Sequence, residues 1–82
     1  MSERVTEIES EVRELLLRML RLADDPHRDI ARDRIDQWDS LKHMEIVFAL
    51  EDRYEVRFGE SEFSELDSPA AIARALRRHL AA

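Results

Sequence analysis

Asp39-Ser40-Leu41-Lys42-His43-Met44-Glu45-Ile46-Val47-Phe48-Ala49-Leu50-Glu51-Asp52-Arg53-Tyr54 is the stretch on which the reading of this chain turns. Asp39 is a good N-cap, so a helix is expected from there to about Tyr54. At about 100° per residue from Leu41, its apolar residues fall into two stripes. Ile46, Val47, Leu50 and Tyr54 lie between about 140° and 240° and make a core face. Leu41, Met44 and Phe48 gather between about 300° and 360°, roughly opposite. Glu45, Glu51, Asp52 and Glu55 fall among or beside this second stripe, and carboxylates so dense are seldom buried without partners. The second stripe is therefore expected to be an apolar ridge rimmed by acids. The other reading is that Leu41 and Phe48 pack under a loop or a minor helix.

Upstream, Ile8, Val12, Leu15, Met19 and Leu22 recur at helical steps, with Leu16 and Leu20 widening the stripe. Glutamates crowd the start of this segment and arginines its end, as a helix macrodipole favours. A first helix is expected over Val5 to Leu22, stopped by Asp24-Asp25-Pro26, because proline cannot continue it. Ala23 to Trp38 shows no clean period and reads as a long loop anchored by Ile30 and Ile35.

Downstream, Glu55-Val56-Arg57-Phe58 alternates but has no second strand to pair with, and suits an extended connection ending at Gly59. Ser61 to Leu66 is expected to form one helical turn with Phe63 and Leu66 inward. Ser68 followed by Pro69 opens a last helix, with Ile72, Leu76 and Leu80 inside and Arg74, Arg77 and Arg78 outside. The expected fold is all-α: a small bundle of three to four helices, with a long loop between helices one and two.

Composition narrows the function. Eighty-two residues suit a single domain, 1–82, and nine of the apolar residues are alanines, so the core is small. One glycine and two prolines argue against a turn-rich β fold, and the lack of cysteine excludes disulfides and thiolate zinc sites. The net charge of −6 argues against a nucleic-acid partner and favours basic protein surfaces. The longest apolar run, Ile46 to Leu50, is far too short for a membrane span, and no signal peptide is visible. A soluble, cytoplasmic monomer is expected.

Asp39-Ser40-Leu41, followed by Glu45-Ile46-Val47-Phe48-Ala49-Leu50-Glu51-Asp52, resembles the core signature of acyl carrier proteins. The family's order of long helix, long loop, serine at a helix start and two further helices covers nearly the whole chain. The resemblance implies that the Ser40 hydroxyl carries a 4′-phosphopantetheine arm taken from coenzyme A, whose thiol holds an acyl group as a thioester. By the same resemblance Asp39 and Leu41 flank the attachment site, and a phosphopantetheinyl transferase installs the arm. The further partners it implies are acyltransferases or ligases, ketosynthases and tailoring enzymes with basic docking surfaces. The expected docking face is Leu41, Met44, Glu45, Phe48, Glu51, Asp52 and Glu60. Helix two's positive end would also accommodate a phosphodiester on Ser40.

Gln37, Trp38, Lys42, His43 and Phe63 depart from the commonest family pattern. Trp38, after Gln37, either closes the core under the loop or shades the arm's exit. Lys42 and His43 place positive charge capacity beside the serine, with Lys42 expected in solvent. Phe63 stands where smaller residues are frequent. These departures look more like carriers of specialised pathways, such as polyketide extender-unit supply, than primary fatty-acid synthesis.

Three other readings compete. A hydrolase built on Asp39, Ser40 and His43 lacks an oxyanion hole and a cleft. A metal site fails because His27, His43 and His79 are far apart, and Asp24, Asp25, Asp29, Asp33 and Asp36 lack a calcium-loop pattern. An acidic docking module without prosthetic group would use the same ridge but tolerate Ser40→Ala. Within the carriers, a peptidyl or aminoacyl carrier would share the fold, but Asp39 and the acidity favour acyl cargo.

Overall fold

The computed structural model describes residues 2–23 and 28–81. Its α-helices are α1 (Ser2–Leu20), α2 (Ser40–Tyr54) and α3 (Pro69–Leu80), with short 3₁₀ turns at Arg32–Arg34 and Glu60–Glu65. No strand occurs among the described residues, and the all-α bundle with a long first loop is what the periodicities imply.

Helix α1 ends earlier than its hydrophobic period suggests. Arg21 takes a left-handed conformation (φ 55°), and the Leu22 N–H donates to the Leu17 carbonyl at 2.9 Å. This reversal satisfies a terminal carbonyl and closes the helix at Leu20. The stop expected at Asp24-Asp25-Pro26 lies outside the described residues, as does His27.

Val12, Leu16 and Leu20 of α1, Ile46, Val47 and Leu50 of α2, Leu66, and Ile72 and Leu76 of α3 are fully buried in one core. Packing is most extensive between α1 and α3, and Ala73 and Ala75 of α3 are buried. Ile30 and Ile35 are buried and pin the long loop to the core, as expected. The Arg32 N–H donates to the Asp67 carbonyl at 2.9 Å, tying that loop to the entrance of α3.

Two expected core residues sit further out. Leu80 is 48% exposed because it is the last residue of α3 and has run past the core. Tyr54 is half-buried, and its hydroxyl donates to Glu11 Oε1 at 2.7 Å, crossing from α2 to α1. Burial and that carboxylate push the phenol up to about 12.

The link from α2 to α3 is held by carboxylates. Glu51 Oε2 accepts the Phe58 N–H at 2.9 Å, and Glu62 Oε1 accepts the Gly59 N–H at 2.7 Å. Glu62 also takes His79 Nε2 at 2.9 Å and Arg78 at 3.4 Å, so the Glu60–Glu65 turn is tied to the end of α3. The Gly59 hydrogen bond, then His79, hold the Glu62 carboxyl below its ordinary range. Leu66 is buried and Phe63 half-buried, the inward orientation their spacing implies.

Candidate functional site

The start of α2 is a capped helix terminus on the surface. Asp39 has extended backbone (φ −85°, ψ −174°), and its Oδ1 accepts the Lys42 N–H at 2.8 Å. Capping is thus complete without Ser40, whose side chain is exposed at the first helical residue. No acidic residue stands within the first turn of α2, so the capping Asp39 is the carboxylate at its positive end. The first-turn N–H groups of Ser40 and Leu41 have no intrahelical acceptor. An accessible hydroxyl and free helix-end donors fit a serine-linked phosphodiester.

The outer stripe of α2 is an open ridge. Leu41 is 69% exposed, Phe48 55% and Met44 46%, which decides against their packing under the loop or the minor turn. Glu45 and Asp52 are exposed beside them, with Glu45 paired to Lys42 at 3.4 Å. Towards the helix C-terminus, Phe48, Glu51, Asp52, Glu55, Val56 and Arg57 line an open groove. Glu51 has one oxygen engaged by the Phe58 N–H, so it serves the fold as well as this surface. Glu60 lies apart from that groove, exposed at the start of the Glu60–Glu65 turn.

Behind the ridge lies a histidine expected to add positive charge capacity beside Ser40. His43 is only 5% exposed. Its Nδ1 receives the Trp38 indole N–H at 2.9 Å, and its Nε2 meets the Phe63 carbonyl at 2.7 Å. Burial, the largest influence, holds the imidazole below its ordinary value. It therefore brings no charge to the start of α2, contrary to expectation, and with both ring nitrogens engaged it cannot act as a base for Ser40. The helical period contained the signal: His43 falls at about 200°, inside the core stripe. Trp38 is buried as well, so it closes the core rather than shading an exit. Lys42 is half-exposed.

Among the described residues no group of three histidine, aspartate or glutamate side chains is arranged to hold a metal ion. None of their helices is long and apolar enough to cross a membrane.

The family model for the phosphopantetheine attachment site matches residues 10–76, from the third turn of α1 through most of α3. No curated protein and no solved structure matches the chain.

Proposed function

We propose, for a chain that belongs to the phosphopantetheine-attachment family, that Ser40 is the attachment residue and that residues 1–82 act as one acyl carrier domain. Members of this family bear a covalently attached 4′-phosphopantetheine and carry intermediates without catalysing their conversion. The observation that carries the assignment to Ser40 is its exposed hydroxyl at an α2 terminus already capped by Asp39. When bound, the arm supplies a terminal thiol for thioester linkage of an acyl group.

The chain's own residues supply the rest. Asp39 fixes the first turn, and the free N–H groups of Ser40 and Leu41 offset the phosphodiester charge. Leu41, Met44 and Phe48 offer apolar area to a partner, while Glu45, Asp52, Glu60 and the free oxygen of Glu51 steer basic surfaces. The partners proposed are a phosphopantetheinyl transferase and acyl-handling enzymes, such as acyltransferases, ligases and ketosynthases, of a polyketide, fatty-acid-like or extender-unit pathway. Asp39 and the net charge of −6 favour acyl over aminoacyl cargo. A monomer in the cytoplasm is the working picture.

The test is intact-protein mass after incubation with coenzyme A and a broad-specificity transferase. One phosphopantetheine increment on the wild type, absent from Ser40→Ala, is expected. Absence of the increment from folded wild type, or its presence on Ser40→Ala, contradicts the assignment.

A further inference from the structure

His43 is a buried titratable group that the carrier reading leaves without a task. Its hydrogen bonds fix its state by elimination. An indole nitrogen can only donate, so Nδ1 of His43 accepts from Trp38. A neutral ring then carries its proton on Nε2 and donates to the Phe63 carbonyl. The Trp38 and His43 rings lie 6.0 Å apart, and the Phe63 ring meets His43 edge-on at 6.5 Å. Trp38 stands two residues before Ser40 and His43 three after it. One imidazole thus joins both flanks of the serine and fastens them to the Glu60–Glu65 turn.

A second proton on this ring has nowhere to go. Protonated Nδ1 would face the Trp38 N–H, donor against donor, and the indole bond must break. Among the described residues, the charged groups acting on the ring are Arg32, in the Arg32–Arg34 turn, and Asp67, between the Glu60–Glu65 turn and α3. Arg32 opposes the imidazolium and Asp67 favours it, while burial outweighs both.

We propose that His43 is the positioning residue of the Ser40 site, a neutral imidazole latch that protonation opens. The inference rests on Ser40 being the attachment residue. Closed, the latch presents Ser40 in one fixed place to the enzyme that modifies it. Open, Trp38 loses the partner that holds its indole inside, and the Asp39 cap next to it loosens.

Two readouts keep the latch and the attachment separable. Trp38 is the sole tryptophan, so its emission and its indole N–H resonance report the latch before any arm is attached. In the wild type both should follow one proton titration below the ordinary histidine range, with nitrogen shifts showing the Nε2–H tautomer at neutral pH. His43→Gln keeps an uncharged donor toward the Phe63 carbonyl and cannot titrate. The ratio of wild-type to His43→Gln loading rates should therefore fall as pH drops through the Trp38 midpoint, the transferase's own pH dependence cancelling. At neutral pH, His43→Leu should load about tenfold more slowly in kcat/KM, as expected for a misplaced acceptor.

An Nδ1–H tautomer, or Trp38 signals that ignore the titration of His43, overturns the latch. A folded His43→Leu that loads at the wild-type rate overturns the positioning role. Should that variant not fold, a pH-independent rate ratio between wild type and His43→Gln overturns it instead. If wild type shows the Trp38 titration but never gains the arm, the attachment reading falls, and the positioning role with it, while the latch is upheld.

Discussion

At the start of α3, Ser68 is its own cap: the half-buried Oγ accepts the Ala71 N–H at 3.2 Å, and Pro69 follows at the first helical position. At the start of α2 the cap is Asp39, one residue earlier, and Ser40 stands outside it with an exposed hydroxyl. Both serines occupy the same kind of place, a helix terminus with free N–H groups and a positive end. The difference is which residue closes the first turn. A serine that caps is committed to backbone and held in one rotamer; a serine beside a capping aspartate keeps its oxygen for chemistry while the turn stays rigid. On the proposed assignment of Ser40, the two termini separate structure from function within one residue type, and each can be altered without the other.

The largest expected effect breaks this comparison most sharply. Ser40→Ala should abolish arm loading, read by intact mass, while unfolding free energy in urea moves by no more than about 0.5 kcal/mol. Ser68→Ala should do the reverse, costing about 1 kcal/mol in the same urea titration with loading unchanged. Asp39→Ala joins the two effects: the lost cap costs about 1 kcal/mol, and loading slows because the turn bearing Ser40 frays.

A smaller effect is expected on the ridge. Asp52→Lys should slow transfer to partner enzymes severalfold and make the rate less sensitive to salt, measured by single-turnover loading at low and high ionic strength. Asp52 is a cleaner probe than Glu51, whose reversal would also remove the acceptor of the Phe58 N–H. An unchanged rate at low salt would separate the ridge from docking.

The smallest effect is in pH. His43 is held below its ordinary value of 6.5, so the unfolded chain binds its proton first as pH falls. Its contribution to stability is whole above that value and is lost as pH drops from it toward the lowered one. The Glu62 carboxyl, also held low, keeps its contribution above its ordinary 4.5 and loses it as pH falls through its lowered value. Urea midpoints measured against pH should therefore decline first with His43 and again in stronger acid. His43→Gln should remove the first decline and leave the second.

Much of this was legible in the chain itself. The residues Asp39 to Tyr54 carry both a cap and two stripes, and α2 runs over Ser40–Tyr54 with the outer stripe in solvent. Ser68-Pro69 marks the start of α3 equally well, because caps act through neighbours in sequence. What could not be read depends on groups distant along the chain. The period of α2 puts His43 in the core stripe, but its neutral, doubly bonded state is not legible, because its acceptor in Phe63 is twenty residues away. Glu51 looked like a free carboxylate for the same reason, since the Phe58 N–H reaches it only after the chain turns back at Glu55 (φ 54°). The end of α1 was misplaced because Arg21 enters the left-handed region, where a glycine would have announced the stop.

Peptide mapping of the loaded wild type tests the contrast between the two serines most directly. Trypsin separates them: the peptide Ile35–Lys42 contains Ser40 as its single serine, whereas Ser68 falls in Phe58–Arg74 with Ser61 and Ser64. After loading from coenzyme A, the phosphopantetheine increment should appear on Ile35–Lys42, with Phe58–Arg74 unmodified. An increment on Phe58–Arg74, or on neither peptide of a folded and fully digested sample, would contradict the assignment of Ser40.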